Sequence, residues 1–377
     1  MSETVFHSAL GDFELLRRPH VPQLPLQAWD AADAYLLALA TEKIDGERPV
    51  LVINDQFGAL ALLCTTTRVV SWGDSYTAHL ATRENLQRNG VSCERLDILP
   101  STRSPAEKVA TVLWRIPKNI HLLQQQIASL RECIDADTGI FAAGMQKHLP
   151  AQTADLLSRL GKVDHLLARK KARAFRITPD LSLPRPVEPK IPALRLAEYD
   201  LTLEAGPNVF AHDKFDIGAR FFLEQFDRLP AAQRIADLGC GNGALGLRAK
   251  RLQPSASIEF FDESYQAIAA AEKNYIDNGF TETEQAPAFH TDDVMSHCAG
   301  EPFDLILCNP PFHQGHVIGD HIARQLFTQS KRHLSTGGEL WIVGNRHLEY
   351  HVTLKKIFGG CQQIAANAKF VVLAARR

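Results

Sequence analysis

The chain has 377 residues, of which 45% are hydrophobic and 22% charged, with a formal net charge of −2. That length suits two domains of roughly 180 to 190 residues, and the composition excludes a disordered or fibrous chain. The near-balanced charge excludes recruitment of nucleic acid by a global positive field, so any such partner must be held by local patches.

No apolar run is long enough to cross a bilayer, and the first 30 residues lack the basic start and apolar core of a leader. No membrane partner and a cytoplasmic location are therefore expected. Seven cysteines without paired spacing point to a reducing compartment rather than a disulfide framework.

Taken from the amino terminus, Pro49-Val-Leu-Val-Ile53 reads as a buried strand, Asn54 to Gly58 as a turn, and Ala59-Leu60 as the start of a helix. Asp74-Ser75-Tyr76, Asn85 and Asn89-Gly90 follow, and Val112-Leu-Trp-Arg-Ile116 is a further strand running into Pro117-Lys118-Asn119. Arg169, Lys170, Lys171 and Arg173, with Arg176 nearby, form a basic run suited to RNA phosphates; Lys331-Arg332 with Lys355-Lys356 is a second such patch. Ile177 to Pro192 holds prolines that block both helix and central strand. A linker is expected there, dividing the chain into domains 1–184 and 185–377.

The second half carries the chemistry. Arg234-Ile-Ala-Asp-Leu238 is a short strand, after which Gly239, Gly241 and Gly243 let the chain turn tightly and bring bare backbone against a ligand. Ala244 to Leu252 continues as a helix. The turn reads Gly-x-Gly-x-Gly with the acid Asp237 before it, and an expected absence of the dinucleotide pattern Gly-x-Gly-x-x-Gly favours S-adenosylmethionine (SAM) over a nicotinamide. Next, Ser257-Ile-Glu-Phe-Phe261 ends in Asp262-Glu263, where a doubly wound sheet places the acid for ribose hydroxyls. Ala288-Phe-His-Thr291 ends at Asp292-Asp293, placed to receive an adenine amino group, and Phe303-Asp-Leu-Ile-Leu-Cys308 runs into Asn309-Pro310-Pro311-Phe312. All these polar groups fall at carboxyl ends of strands, the edge where open α/β sheets bind ligands. His313, His316 and His321 lack metal-ligand spacing, and Cys240 and Cys308 read as packing residues; no metal and no thiol chemistry are assigned.

The two halves match. The segment from Pro49 reads like that from Arg234, with Gly58-Ala-Leu answering Gly243-Ala-Leu. Asn85 and Asn89-Gly90 pair with Asn274 and Asn278-Gly279 at one offset of 189 residues. Where the second copy has Gly239 and Gly241, the first has Asn54 and Gln56, whose side chains would occupy cofactor space. Where the second has Asn309 and Pro311, the first has Ile116 and Lys118. The expected fold is thus α/β, two tandem Rossmann-like domains from a duplication, the amino-terminal one degenerate.

The second half resembles class I SAM-dependent methyltransferases with an Asn-Pro-Pro-aromatic motif that modify planar amines. The whole chain resembles the tandem-domain ribosomal RNA guanine-2-amino methyltransferases, and within them the large-subunit branch. The resemblance rests on Leu26-Gln-Ala-Trp29-Asp-Ala-Ala-Asp33, Gly73-Asp-Ser-Tyr76, Ala81-Thr-Arg-Glu-Asn-Leu86, Asp216-Ile-Gly-Ala-Arg-Phe-Phe222, Cys308-Asn-Pro-Pro-Phe-His-Gln314 and Asn345-Arg-His-Leu348. It implies methyl transfer from SAM to the 2-amino group of one guanine in 23S rRNA, with no obligate protein partner.

In that chemistry Asn309 and the Pro310 carbonyl hold the amine, Pro311 stiffens the loop and Phe312 stacks on the base. Asp237, Gly239, Gly241, Gly243, Asp262 and Asp293 would hold the cofactor, with Phe210 and Gly218 closing over its methionine end. The degenerate copy would grip RNA. Family members carry Val-Phe-Ser-Arg where this chain has Val209-Phe-Ala-His212, and either His212 or Lys214 is expected to stand in for the missing Arg. Competing readings are another planar amine (a small-subunit rRNA guanine, adenine or protein glutamine) and a non-catalytic RNA-binding ribosome-assembly protein.

Overall fold

Short runs rich in β-branched and aromatic residues alternate with helices along both halves of the chain, the pattern that builds parallel sheets covered on both faces. In the computed structural model the chain divides into two units, Met1–Lys190 and Ile191–Arg377. Described are residues 3–21, 26–40, 47–209, 215–280, 286–311 and 315–377, the side chains of 315–320 excepted.

The first unit contains a hairpin, β1 (Val5–Ser8) and β2 (Gly11–Glu14), and helix α1 (Ala31–Ala40). Then come β3 (Val50–Ile53), β4 (Val69–Gly73), α2 (Tyr76–Arg88), β5 (Leu96–Pro100), β6 (Thr111–Arg115), α3 (Ile120–Cys133), β7 (Gly139–Met145), α4 (Thr153–Leu157), β8 (Gly161–His165) and β9 (Ala172–Pro179). Its sheet has the order β5-β4-β3-β6-β7-β9-β8. Strands β3 to β7 pair in parallel and β8 and β9 are antiparallel. All four residues of β3 are buried, which explains an unbroken apolar run in place of alternation.

The second unit opens on hairpin β10 (Leu194–Leu196) and β11 (Leu201–Leu203), then α5 (Ile217–Leu223), β12 (Arg234–Leu238), α6 (Ala244–Leu252), β13 (Ser257–Asp262), α7 (Tyr265–Asp277), β14 (Ala288–Thr291) and β15 (Phe303–Cys308). It closes with α8 (Gly315–His333), β16 (Leu334–Asn345), α9 (Tyr350–Phe358), β17 (Gln362–Ala366) and β18 (Phe370–Arg376). Its order, β14-β13-β12-β15-β16-β18-β17, repeats the first unit strand for strand.

The duplication reaches individual hydrogen bonds. The Asn274 side-chain amide donates to the Glu204 and Asn242 carbonyls (2.8 and 2.9 Å) and its oxygen accepts from the Glu204 amide (2.8 Å). Asn85 donates likewise to the Leu16 and Phe57 carbonyls (2.8 Å each) and accepts from the Leu16 amide (3.0 Å). Asn278 and Asn89 bracket Thr202 and Glu14 in the same manner. In each unit one buried asparagine therefore ties the end of the hairpin to the turn after the first parallel strand, satisfying backbone groups that have no sheet partner there.

The expected linker begins too early. Ile177, Thr178 and Pro179 belong to β9, where Pro179 pairs with Gly161 of β8. Pairing of β9 with β7 ends at Ile177, so the missing N–H of Pro179 falls where no ladder bond to β7 is required. The division between units, at Lys190/Ile191, lies at the carboxyl end of the proline-rich stretch.

Candidate active site

The turn after β12 is held open by its glycines. Gly239, Gly241 and Gly243 have φ of 71°, 55° and 84°, left-handed values that L side chains rarely adopt. The space that a Cβ would take at Gly239 or Gly241 has no atom within 4 Å, whereas at Gly243 it would meet Ala271 at 3.2 Å. Two glycines thus leave bare backbone facing open space, and the third lets α6 close against α7. Gly246 packs tighter still, its virtual Cβ lying 2.4 Å from the Phe260 ring. Gly241, Gly243 and Gly246 also satisfy the dinucleotide spacing Gly-x-Gly-x-x-Gly, so glycine spacing by itself does not separate the cofactor classes.

Acids surround this turn. Asp237 is fully buried, with one carboxylate oxygen accepting from the Gly246 amide at 2.8 Å and the other, Oδ1, without a partner among the described residues. Burial pushes its carboxyl up to about 8 against the pull of the Gly246 N–H, and nearby Asp262 adds to the rise. Asp262 accepts from the Gly241 amide (2.9 Å) and the Ser264 amide (3.0 Å), so it braces the glycine turn from the end of β13, while Glu263 is exposed. After β14, Asp292 is committed to its own turn, accepting from the Asp293 and His297 amides and the His297 ring. Asp293 accepts from the Gln325 amide at 3.3 Å.

Asn309 follows the last residue of β15, next to β12 in the sheet. Its Nδ2 donates to Asp216 Oδ2 at 3.4 Å, and its Oδ1 is buried without a partner among the described residues. Pro310 is buried and Pro311 exposed. Asp216 is the N-cap of α5 and accepts from the Ala219 amide (2.7 Å). The sequence reading missed it, although an Asp before Ile-Gly-Ala-Arg carries the signal of a helix start. Gly218 sits inside α5, where a Cβ would meet Asp216 Oδ2 at 3.0 Å and the Phe370 ring at 3.2 Å. Burial raises both the Cys240 and Cys308 thiols, which keeps them protonated and unreactive. Phe210, His212, Lys214 and Phe312 lie outside the described residues.

The corresponding place in the first unit is filled. Asn54 donates to the Arg115 carbonyl (2.8 Å) and exchanges hydrogen bonds with Gln126, which also accepts from the Trp114 indole. Gln56, expected to share that space, is exposed; the buried group of the turn is Asp55, whose carboxylate takes the amides of Gly58, Ala59, Leu60 and Ala61. Arg115 forks onto Asp30 (2.6 and 2.8 Å) and reaches Asp33 at 3.2 Å. Burial pushes Asp33 up to about 7 even beside that guanidinium. Side chains of the unit itself have consumed the donors and acceptors that the second unit leaves open.

The basic run spans the β8–β9 connection and the start of β9, which holds Arg173. Arg169 bridges to Ala172, with Lys170 and Lys171 at φ of 46° and 65° forming the turn between them. All of Arg169, Lys170, Lys171 and Arg173 are exposed, and Arg169 stands 4.6 Å over the Tyr35 ring. In the other basic patch Lys331 is spent on the Ile357 carbonyl.

Residues 3–181 match the RLMG N-terminal domain and residues 200–374 the Methyltransferase small domain. The chain is 42% identical over 374 residues to the ribosomal RNA large subunit methyltransferase G of Pseudomonas aeruginosa, covering 98% of this chain and 99% of the relative. To the proteins of that name from Shewanella denitrificans and Streptomyces griseus it is 41% and 39% identical, with 98% of each chain covered. In fold it is similar to a T. thermophilus 16S rRNA N2 methyltransferase (RsmC) in complex with AdoMet and guanosine, at a TM-score of 0.77 and 19% identity over 99% of this chain and 97% of that one. Identity of this extent, running through both the filled unit and the open one, makes the chain a member of the ribosomal RNA large subunit methyltransferase G family.

Proposed function

We propose that unit Ile191–Arg377 transfers a methyl group from SAM to the exocyclic 2-amino group of a guanine in 23S rRNA, in the cytoplasm, while the amino-terminal unit grips the RNA. The observation that carries this reading is Asn309 Oδ1, a buried acceptor without a partner among the described residues, at the sheet edge that also bears the glycine turn. A buried acceptor of this kind costs about 1–3 kcal/mol until a donor arrives, and an aryl amine brings two hydrogens.

The residues present fit SAM. Its two positive charges suit a site that holds Asp262 and Asp293, its adenosine and methionine parts suit the bare faces of Gly239 and Gly241, and the buried Asp237 carboxyl, with Oδ1 unpartnered among the described residues, ionises when a cation comes beside it. The bound cofactor supplies an electrophilic methyl. Asn309 Oδ1 and the Pro310 carbonyl accept the two amine hydrogens, drawing the nitrogen lone pair out of conjugation with the ring and fixing its direction. No base is needed before transfer, because the proton leaves once the nitrogen has become cationic.

RNA binding by the first unit is supported by four exposed basic side chains at the β8–β9 connection and the start of β9, which reach phosphate without rearranging a core. The name of the relatives favours the large-subunit RNA. Equilibrium titration with SAM, followed by transfer of its labelled methyl to unmodified rRNA as naked RNA and as subunits, tests the reading. Binding with transfer to a large-subunit guanine supports it. Binding without transfer to any rRNA redirects the search to other amines, and absence of SAM binding leaves a non-catalytic RNA-binding protein.

A further inference from the structure

We infer that Asp216 is a positioning residue that sets which end of the Asn309 amide faces the substrate. The inference deepens the proposed transfer reaction and rests on it for its kinetic readouts.

An asparagine side chain has one accepting and one donating end, and the two are interchangeable by a half-turn about a single bond. For amine methylation only one orientation is productive, with the oxygen toward the amine. Asp216 removes the ambiguity, because an ionised carboxylate accepts and cannot donate. The group 3.4 Å from its Oδ2 must therefore be Asn309 Nδ2, which turns Oδ1 the other way, where it is buried and has no partner among the described residues. The same carboxylate is anchored by the Ala219 amide at 2.7 Å. Gly218 provides the room, since a Cβ there would lie 3.0 Å from that oxygen.

The first unit keeps an acid at this place but gives it a different partner. Asp30, immediately before α1 as Asp216 is before α5, holds the Arg115 guanidinium, and the strand register puts Arg115, rather than the Ile116 expected from the sequence, where the second unit has Asn309. With no amide to orient, the acid there is joined to a cation.

The test compares Asp216→Ser and Asp216→Asn in the full chain. Serine is as good an N-cap as aspartate, so the helix and the melting temperature should hold, but its short side chain cannot reach Asn309. Asparagine presents an oxygen at the same reach, and the Ala219 amide, which can only donate, holds that oxygen in place, so it should rescue. The expected result is a kcat lowered about tenfold or more in the serine variant, most of it restored in the asparagine variant, with KM for RNA and Kd for SAM near wild type. Serine and asparagine variants that both lose SAM affinity with kcat intact would overturn the inference by making Asp216 a cofactor contact. So would a serine variant with wild-type kcat.

An independent readout uses chain labelled with side-chain ¹⁵N asparagine. The Asn309 amide resonance, assigned by its loss in Asn309→Ala, should exchange slowly in wild type and faster in Asp216→Ser. This resonance reports even if wild type methylates no rRNA, a result that would sink the proposed function instead. An unchanged resonance would overturn the inference.

Discussion

Gly241→Ala should separate ligand binding from folding. Gly241 sits at φ of 55°, and a Cβ built there has no atom within 4 Å. The folded state therefore meets no clash. Its cost is the left-handed conformation, about 1–2 kcal/mol for an L-residue, partly offset by about 0.4–1 kcal/mol from the lower entropy of the unfolded chain. A net loss near 1 kcal/mol corresponds to a fall in melting temperature of about 2–4 °C for a unit of this size. The bond from the Gly241 amide to Asp262 is untouched by an added methyl. A methyl on the face offered to SAM should raise its Kd at least tenfold, or about 1.4 kcal/mol. Calorimetric titration with SAM and thermal unfolding without it measure the two effects. Gly246→Ala is the control, because its Cβ would collide with the Phe260 ring at 2.4 Å and should cost more stability, about 1–3 kcal/mol. An unchanged Kd in Gly241→Ala would mean that no ligand approaches this backbone, and a fall of more than about 10 °C would mean that the space is not open.

Asn274→Ala and Asn85→Ala should each lower the melting temperature, since each removes a buried side chain that makes three hydrogen bonds to backbone, at about 2–4 kcal/mol. Only Asn274→Ala should also weaken SAM binding, because Asn242 lies inside the glycine turn; equal SAM affinities in the two variants would count against that link. The raised Asp237 carboxyl predicts a pH effect of definite sign. The folded unit keeps a proton that the unfolded chain releases near pH 3.9, so this contribution to stability is complete below about 3.9 and is lost as pH rises to about 8, by at most about 1.4 kcal/mol per unit. Asp237→Asn should flatten melting temperature against pH over that window without ligand, and curves of equal slope would refute it. Replacing Lys170, Lys171 and Arg173 with glutamine should raise the Kd for RNA and flatten its salt dependence while leaving SAM affinity alone, and an unchanged salt slope would remove the basic run from the RNA interface.

Much of this was legible in the sequence because strand, turn and helix signals are local. Arg234–Leu238, Ala244–Leu252, Ala288–Thr291 and Phe303–Cys308 are elements with the bounds the residue pattern gives. The repeat was legible because Asn85 and Asn274 do the same work on backbone far away in sequence, so they kept one spacing. Three features depend on contacts between distant segments and leave no local mark. Arg115 is an ordinary strand residue until Asp30 and Asp33 are brought against it. Asp55 looks like a turn residue, and its capture of four amides follows from the turn's conformation rather than its composition. Asp216 and Asn309 are separated by four strands of chain order and meet only because α5 returns to the carboxyl end of β15. The linker was misread at its start because a proline was judged without knowing which of its strand neighbours ended before it.

The most direct test is to incubate the protein with labelled SAM and rRNA lacking its natural modifications, digest the product, and identify the modified nucleoside and its position by mass spectrometry, for wild type and Asn309→Ala. N2-methylguanine at one position of 23S rRNA, reduced at least a hundredfold in the variant (about 2.7 kcal/mol of transition-state stabilisation), is the expected result. Methylation of any other atom, or equal yields from the two proteins, would contradict it.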